Sequence, residues 1–323
     1  MYGLVRGCGY VALLLIPAAL LGSALLTPRG AQTGIVGLEV GIVLVGGIAA
    51  VAERERALER LNVDTSGFDR ADAIDVLAVV AGTMLAYGLS VHAGLGPVLG
   101  SAFVGLVVGL GADDLDGPVY CGSFVGMTSP TLFLSAEYLV GAGFVAGLAY
   151  VATRGTFAGM GGKLGTVALF GCATAVVLAG VDYGVGGALQ WDSARVVVPV
   201  AVVGAVSTVV LSVRLELGAV VGSALVGVVA GAAFPTLLPG LGETLAVVAF
   251  CASFVGMSAT GRLRDEAHVA LAGCLCGLVF IAVTPAFVGA GGKLGTVAFV
   301  SCVTVTGTRE LYEMLIARSE REE

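Results

Sequence analysis

The chain holds only two lysines, and both stand in the same eight-letter setting: Gly161-Gly162-Lys163-Leu164-Gly165-Thr166-Val167-Ala168 and Gly291-Gly292-Lys293-Leu294-Gly295-Thr296-Val297-Ala298. Counting Gly159 and Gly289, each stretch packs four glycines into seven positions. At about 1 kcal/mol each relative to Ala, they will not hold a helix. They do permit close backbone approach and leave N–H groups uncovered. An apolar run follows at once, so each stretch should open a helix whose N-terminus carries a cation. That is an anion-binding arrangement. It is not a P-loop, because Leu and not Ser or Thr follows the lysine and no strand precedes it. The lysine also opposes the helix dipole, by about 0.3–1 kcal/mol. A compensating anion or carboxylate is one answer. An interfacial anchor reaching for lipid headgroups is the other. On the first answer Gly161, Gly162, Lys163, Thr166, Gly291, Gly292, Lys293 and Thr296 bind a solute.

A second block also occurs twice, as Cys121-Gly122-Ser123-Phe124-Val125-Gly126-Met127 and Cys251-Ala252-Ser253-Phe254-Val255-Gly256-Met257. Hydroxyls follow directly, at Thr128 and Ser258. Gly126 and Gly256 allow tight helix packing or a break, and nearby hydroxyls can satisfy freed backbone groups. Ser123, Phe124, Met127, Thr128, Ser253, Phe254, Met257 and Ser258 are therefore candidates to line a pathway; a close helix crossing would use the same residues. Carboxylates inside apolar runs are functional candidates by default, which singles out Glu39 and Glu137 for ion coupling. His92 and His268 do not match each other and have no ligand cluster, so no metal or cofactor is expected. The seven cysteines lie in apolar runs without a C-x-x-C and read as small apolar residues. No Ser/His/Asp or Cys/His set is present, which argues against an enzyme.

The elements that position these blocks come from hydropathy. AVILMFWYC make up 57% of the 323 residues and charged residues 12%; mean hydropathy is +1.01. Too little polar sequence remains to cover a soluble globule, so the chain is expected to be an all-α integral membrane protein. A span needs about 20 apolar residues, and twelve candidates appear. Two lie in residues 1–72, at 7–26 and 34–52, followed by the charged run Glu53–Arg60, which reads as a surface helix and loop. Five lie in 73–182, at 73–91, 96–112, 118–135, 137–153 and 165–182. After a linker at 183–194, five more lie in 195–313, at 195–213, 218–236, 244–260, 266–285 and 294–313. A charged tail, 314–323, ends the chain.

Residues 121–174 and 251–304 share 23 identities in 54 ungapped positions. Upstream, Val98–Gly105 matches Val220–Gly227 at an offset of 122 rather than 130. Five spans per unit is an odd number, so the second unit should be inverted across the membrane. With both termini in the cytoplasm, thirteen of the sixteen Lys and Arg fall inside and three outside, which obeys the positive-inside rule. Letting 118–135 and 244–260 dip in without crossing lowers the split to eleven against five. The net charge of −7 leaves no basic patch for nucleic acid. Together these features lead to the expectation of a multi-pass permease of the cell membrane. Its substrate is a small polar solute or anion, bound where the two units meet in the lipid bilayer. A passive channel and a structural or lipid-handling protein are the alternatives, and a homo-oligomer is compatible with each.

Overall fold

The computed structural model describes residues 2–26, 33–61, 67–112, 114–133 and 135–322. Every long element among them is an α-helix. The order is α1 (Tyr2–Leu26), α2 (Thr33–Leu61), α3 (Arg70–Tyr87), α4 (Gly96–Gly111), α5 (Asp116–Val125), α6 (Ala136–Ala152), α7 (Lys163–Ala179), α8 (Ala194–Val209), α9 (Ala219–Leu237), α10 (Gly242–Gly256), α11 (Glu266–Val283) and α12 (Lys293–Glu322). Short polar side chains start several of them. Asp69 and Asp72 form a reciprocal cap on α3, Ser135 caps α6, and Asp265 caps α11. Such caps satisfy N–H groups that the helix itself leaves open. Both α3 and α8 end in a π-helical turn, at Gly88–His92 and Val210–Arg214.

Five segments among the described residues are long and apolar enough to cross a membrane: Gly7–Leu26, Arg70–His92, Trp191–Arg214, Ala219–Leu237 and Glu266–Val283. Four shorter apolar helices, Gly96–Gly111, Ala136–Ala152, Lys163–Ala179 and Gly242–Gly256, accompany them. The chain is thus a helical protein of membrane character. Some details differ from the expectation, among them the span expected at 244–260, where α10 stops at Gly256 and the chain turns. Residues 118–135 are not one helix, because α5 stops at Val125 and the chain turns through Gly126–Thr131. At 1.5 Å per residue, α5 is about 15 Å long, half a hydrocarbon core. Nor is Glu53–Arg60 a separate surface helix: α2 runs through it, and Glu53 is only 2% exposed.

The short helices α5 and α10 are buried along most of their length. Glycine brings their neighbours close. An added Cβ at Gly82 or Gly122 would run into the backbone of Val119 or Val79, which presses α3 on α5. Gly204 and Gly256 press α8 on α10 against Ala249 and Ala205 in the same way. Without water to drive helices together, such backbone contact is a main source of association in a membrane.

The two lysine-bearing helices meet near their starts. A Cβ added at Gly165 would lie 2.5 Å from Cα of Gly295, and one added at Gly295 would lie 2.5 Å from Cα of Gly165. Gly162 faces Gly295 and Phe299, while Gly292 faces Gly165 and Leu169. As numbers rise along α7 they fall along α12, so the first turns run antiparallel. The contacts are also reciprocal, as between two faces related by a two-fold axis.

No Cβ fits at this crossing. Gly165→Ala and Gly295→Ala should each destabilise the protein, on the order of 1–3 kcal/mol, by overpacking. Thermal unfolding in detergent measures this, with Gly47→Ala as a control where no neighbour stands within 4 Å. Equal melting temperatures for all three variants would contradict the packing.

Candidate functional site

Each lysine opens its helix, α7 or α12, after a glycine in the left-handed region: Gly162 has φ +78° and Gly292 φ +84°. Three residues earlier Gly159 and Gly289 are also left-handed, with φ of +71° and +86°. Phe157 and Phe287 share this conformation at +49° and +51°, an unfavourable one for a side chain with a Cβ. Both rings are buried and hold the turn. Phe157 stacks on Tyr10 and meets Phe299 edge-on, and Phe287 packs on Tyr183.

The lysine side chains are half-buried. Lys163 Nζ donates to the Thr153 carbonyl at 2.6 Å, and Thr153 is the cap residue closing α6. Lys293 Nζ donates at 2.7 Å to the carbonyl of Thr284, the cap residue closing α11. Each ammonium therefore sits between the negative end of one helix and the positive end of the next. The first contact is favourable by about 0.3–1 kcal/mol and offsets the second. Lysine at a helix start thus has a compensating partner within the protein.

The turn of one segment is bound by the Ser-Phe-Val-Gly-Met block of the other. Gly161 N–H donates to Ser258 Oγ at 3.1 Å, and Gly291 N–H donates to Thr128 Oγ1 at 3.2 Å. Beside these, the Ala259 N–H donates to the Gly159 carbonyl and the Ser129 N–H to the Gly289 carbonyl, both at 2.8 Å. Cysteines back the same hydroxyls, Cys172 at Thr128 and Cys302 at Ser258. Thr166 and Thr296 are fully buried, and their hydroxyls donate to Gly162 and Gly292 one turn back in their own helices.

Phe124 and Phe254 meet ring to ring at 4.6 Å, with Tyr120 and Phe250 packed behind them. Ser123 and Ser253 are buried and donate to the carbonyls of Tyr120 and Phe250. Ser101 bonds Ser123, and Ser223 bonds both Ser253 and the Tyr120 hydroxyl, so the hydroxyl groups at the centre are satisfied. Met127 and Met257 are half-buried at the edge.

A cavity of about 300 Å³ lies at this junction. Its wall is the turn Gly159–Leu164 with Tyr150, Arg154, Met257 and the rings of Phe124 and Phe254. The charged side chains in the lining are Arg154 and Lys163, both cationic. Arg154 is held by Asp72 at 2.8 Å and by Asp75. Of the expected solute ligands, Gly161, Gly162 and Lys163 line this cavity; Thr166, Gly291, Gly292, Lys293 and Thr296 are not in its lining. Glu137 is exposed in the first turn of α6, away from the cavity lining. The side chain of Glu39 lies outside the described residues.

Sequence reasoning passed over the residues that brace the cavity's turn. Glu53 reaches in from α2. Its carboxylate accepts the Phe157 N–H at 2.8 Å and two bonds from the Arg262 guanidinium at 2.9 and 3.2 Å. Arg262 also donates to the Ala158 carbonyl. The side chains are 3% and 14% exposed. The run Glu53-Arg54-Glu55-Arg56 looks like a solvated surface, and only the third dimension shows that Glu53 is buried.

Breaking a buried pair costs about 3–5 kcal/mol, whereas replacing both members by apolar groups costs far less. Glu53→Leu and Arg262→Met should each lower thermal stability more than the double variant does. Strictly additive losses would contradict a coupled pair.

Comparison with known proteins finds no matching protein family, no matching curated protein and no matching solved structure.

Proposed function

We propose that this protein is a multi-pass membrane permease for a small anion or strongly polar solute. In this reading about twelve segments enter the membrane. α1 and α2 brace a ten-helix core made of two inverted five-helix units, 73–182 and 195–313. The antiparallel, reciprocal crossing of α7 and α12 supports the inversion. The positive-inside count supports a cell-membrane location with both termini in the cytoplasm. The solute site lies at the junction of the units.

The observation that carries the reading is the cavity. It holds Lys163 and the carboxylate-paired Arg154, lies at the junction, and is bordered by a helix N-terminus whose dipole favours negative charge. Lys163 keeps one N–H on the Thr153 carbonyl. Phe124 and Phe254 line the cavity and touch ring to ring, and in this reading that contact closes its inner end. A closed centre favours a gated carrier over an open pore.

The test is flux of chloride, nitrate, phosphate and small carboxylates into liposomes holding the purified protein. At least one should enter faster than into protein-free liposomes. Lys163→Gln should weaken apparent affinity roughly tenfold or more, the factor for losing one charge-assisted hydrogen bond. Lys293→Gln removes the matching clamp at the other turn, so thermal stability of both variants is measured beside flux. Affinity losses that track equal losses of thermal stability would assign the lysines to packing alone. No flux of any solute in the panel would remove the permease reading.

A further inference from the structure

The two matching turns are covered differently. Over the Lys163 turn, Tyr10 stacks on Phe157 and Glu53 takes the Phe157 N–H, and the cavity opens beside them. Over the Lys293 turn lies a strap that follows α7. Gly180 ends α7 in the left-handed region, and the chain then runs without helix to Gln190. Tyr183 packs its ring 4.6 Å from Phe287. Gly184 N–H donates to the Val288 carbonyl at 3.0 Å, forming an isolated antiparallel bridge. Gly186 passes so close that a Cβ there would stand 2.8 Å from the Val288 side chain. Val181, Tyr183 and Leu189 pack on the core, while Asp182, Val185, Gly187 and Ala188 are exposed.

We propose that residues 181–190 are a gate over the Lys293 turn, whereas the cavity borders the matching Lys163 turn. The proposal rests on the permease reading. The turn it covers, 284–290, is the one whose Thr284 carbonyl holds the Lys293 ammonium. The strap is joined to it by one backbone hydrogen bond, one ring pair and the packing of Gly186 on Val288, and much of the segment is exposed. Elements held this lightly open at low cost, as moving parts must. Glycines at 180, 184, 186 and 187 supply the backbone freedom for that motion. A carrier with a site between two units needs one end shut while the other is open, and a strap on the Lys293 turn is placed to do this at that end.

The chain's two lysines make the test direct. A water-soluble amine reagent is applied to the detergent-solubilised protein, and modification of Lys163 and Lys293 is followed separately by mass spectrometry. In the native chain Lys163 should react faster. Tyr183→Ala with Gly184→Pro removes the ring contact and the bridge donor. Lys293 should then react roughly tenfold faster, the factor for losing one hydrogen bond and one ring pair, and Lys163 should not change. A second variant closes the strap. A Cβ at Gly184 would lie 3.7 Å from Cβ of Val288, within the range a disulfide needs. Oxidised Gly184→Cys/Val288→Cys should slow Lys293 modification, and reductant should restore it. An unchanged Lys293 rate in both variants would overturn the gate, as would equal changes at both lysines. Because labelling needs no solute, a responsive strap in a protein that moves no anion would refute the permease reading and keep the cover.

Discussion

Backbone touches backbone where α7 crosses α12 at Gly165 and Gly295, and no other residue type fits there. The rest of the junction depends on that approach. With the first turns antiparallel and in contact, each glycine-rich turn is carried across to the other segment's Ser-Phe-Val-Gly-Met block. There Ser258 and Thr128 accept the Gly161 and Gly291 N–H groups. Moving the helices apart by the width of one methyl group would lengthen both bonds. A short hydroxyl side chain could not make up the distance.

The same approach explains why ordinary helix preferences are broken here. Two phenylalanines sit in left-handed backbone, and two lysines start helices whose dipoles oppose them. Each departure has a local answer. The rings are buried in aromatic contacts, and the ammonium groups rest on the closing carbonyls of α6 and α11. Strained or opposed groups persist where the surroundings over-determine them. The strain is the same in both turns; the difference lies in what covers them.

Much of this was legible in the residues alone. Hydropathy showed a helical membrane chain, and the 130-residue offset marked the blocks that matter. Helix starts at Lys163 and Lys293 followed from glycine and apolar patterning. What the blocks touch was not legible, because the partners are tertiary. Gly161 lies 97 positions from Ser258 and finds it only through the crossing. The break after Val125 was partly legible: Gly126 and the run Thr128-Ser129-Pro130-Thr131 mark it, but the residues alone allowed a close helix crossing there as well as a break. Glu53 was misplaced because its neighbours are charged, and burial of one carboxylate depends on Arg262 some 209 positions away. Thr166 and Thr296 looked like ligands by position, but their hydroxyls bond within their own helices.

The central claim is that two similar segments face opposite sides of the membrane and meet between them. Sidedness of the two turns tests it most directly. Single cysteines at Ala158 and Pro285 are placed in a chain whose exposed Cys8 is replaced by Ser. They are then labelled in sealed, oriented vesicles with an impermeant maleimide. The account predicts that Ala158→Cys reacts only from the cytoplasmic side and Pro285→Cys only from the outer side. Labelling of both from one side would mean that the segments are parallel, and the shared junction would have to be abandoned as a path across the membrane.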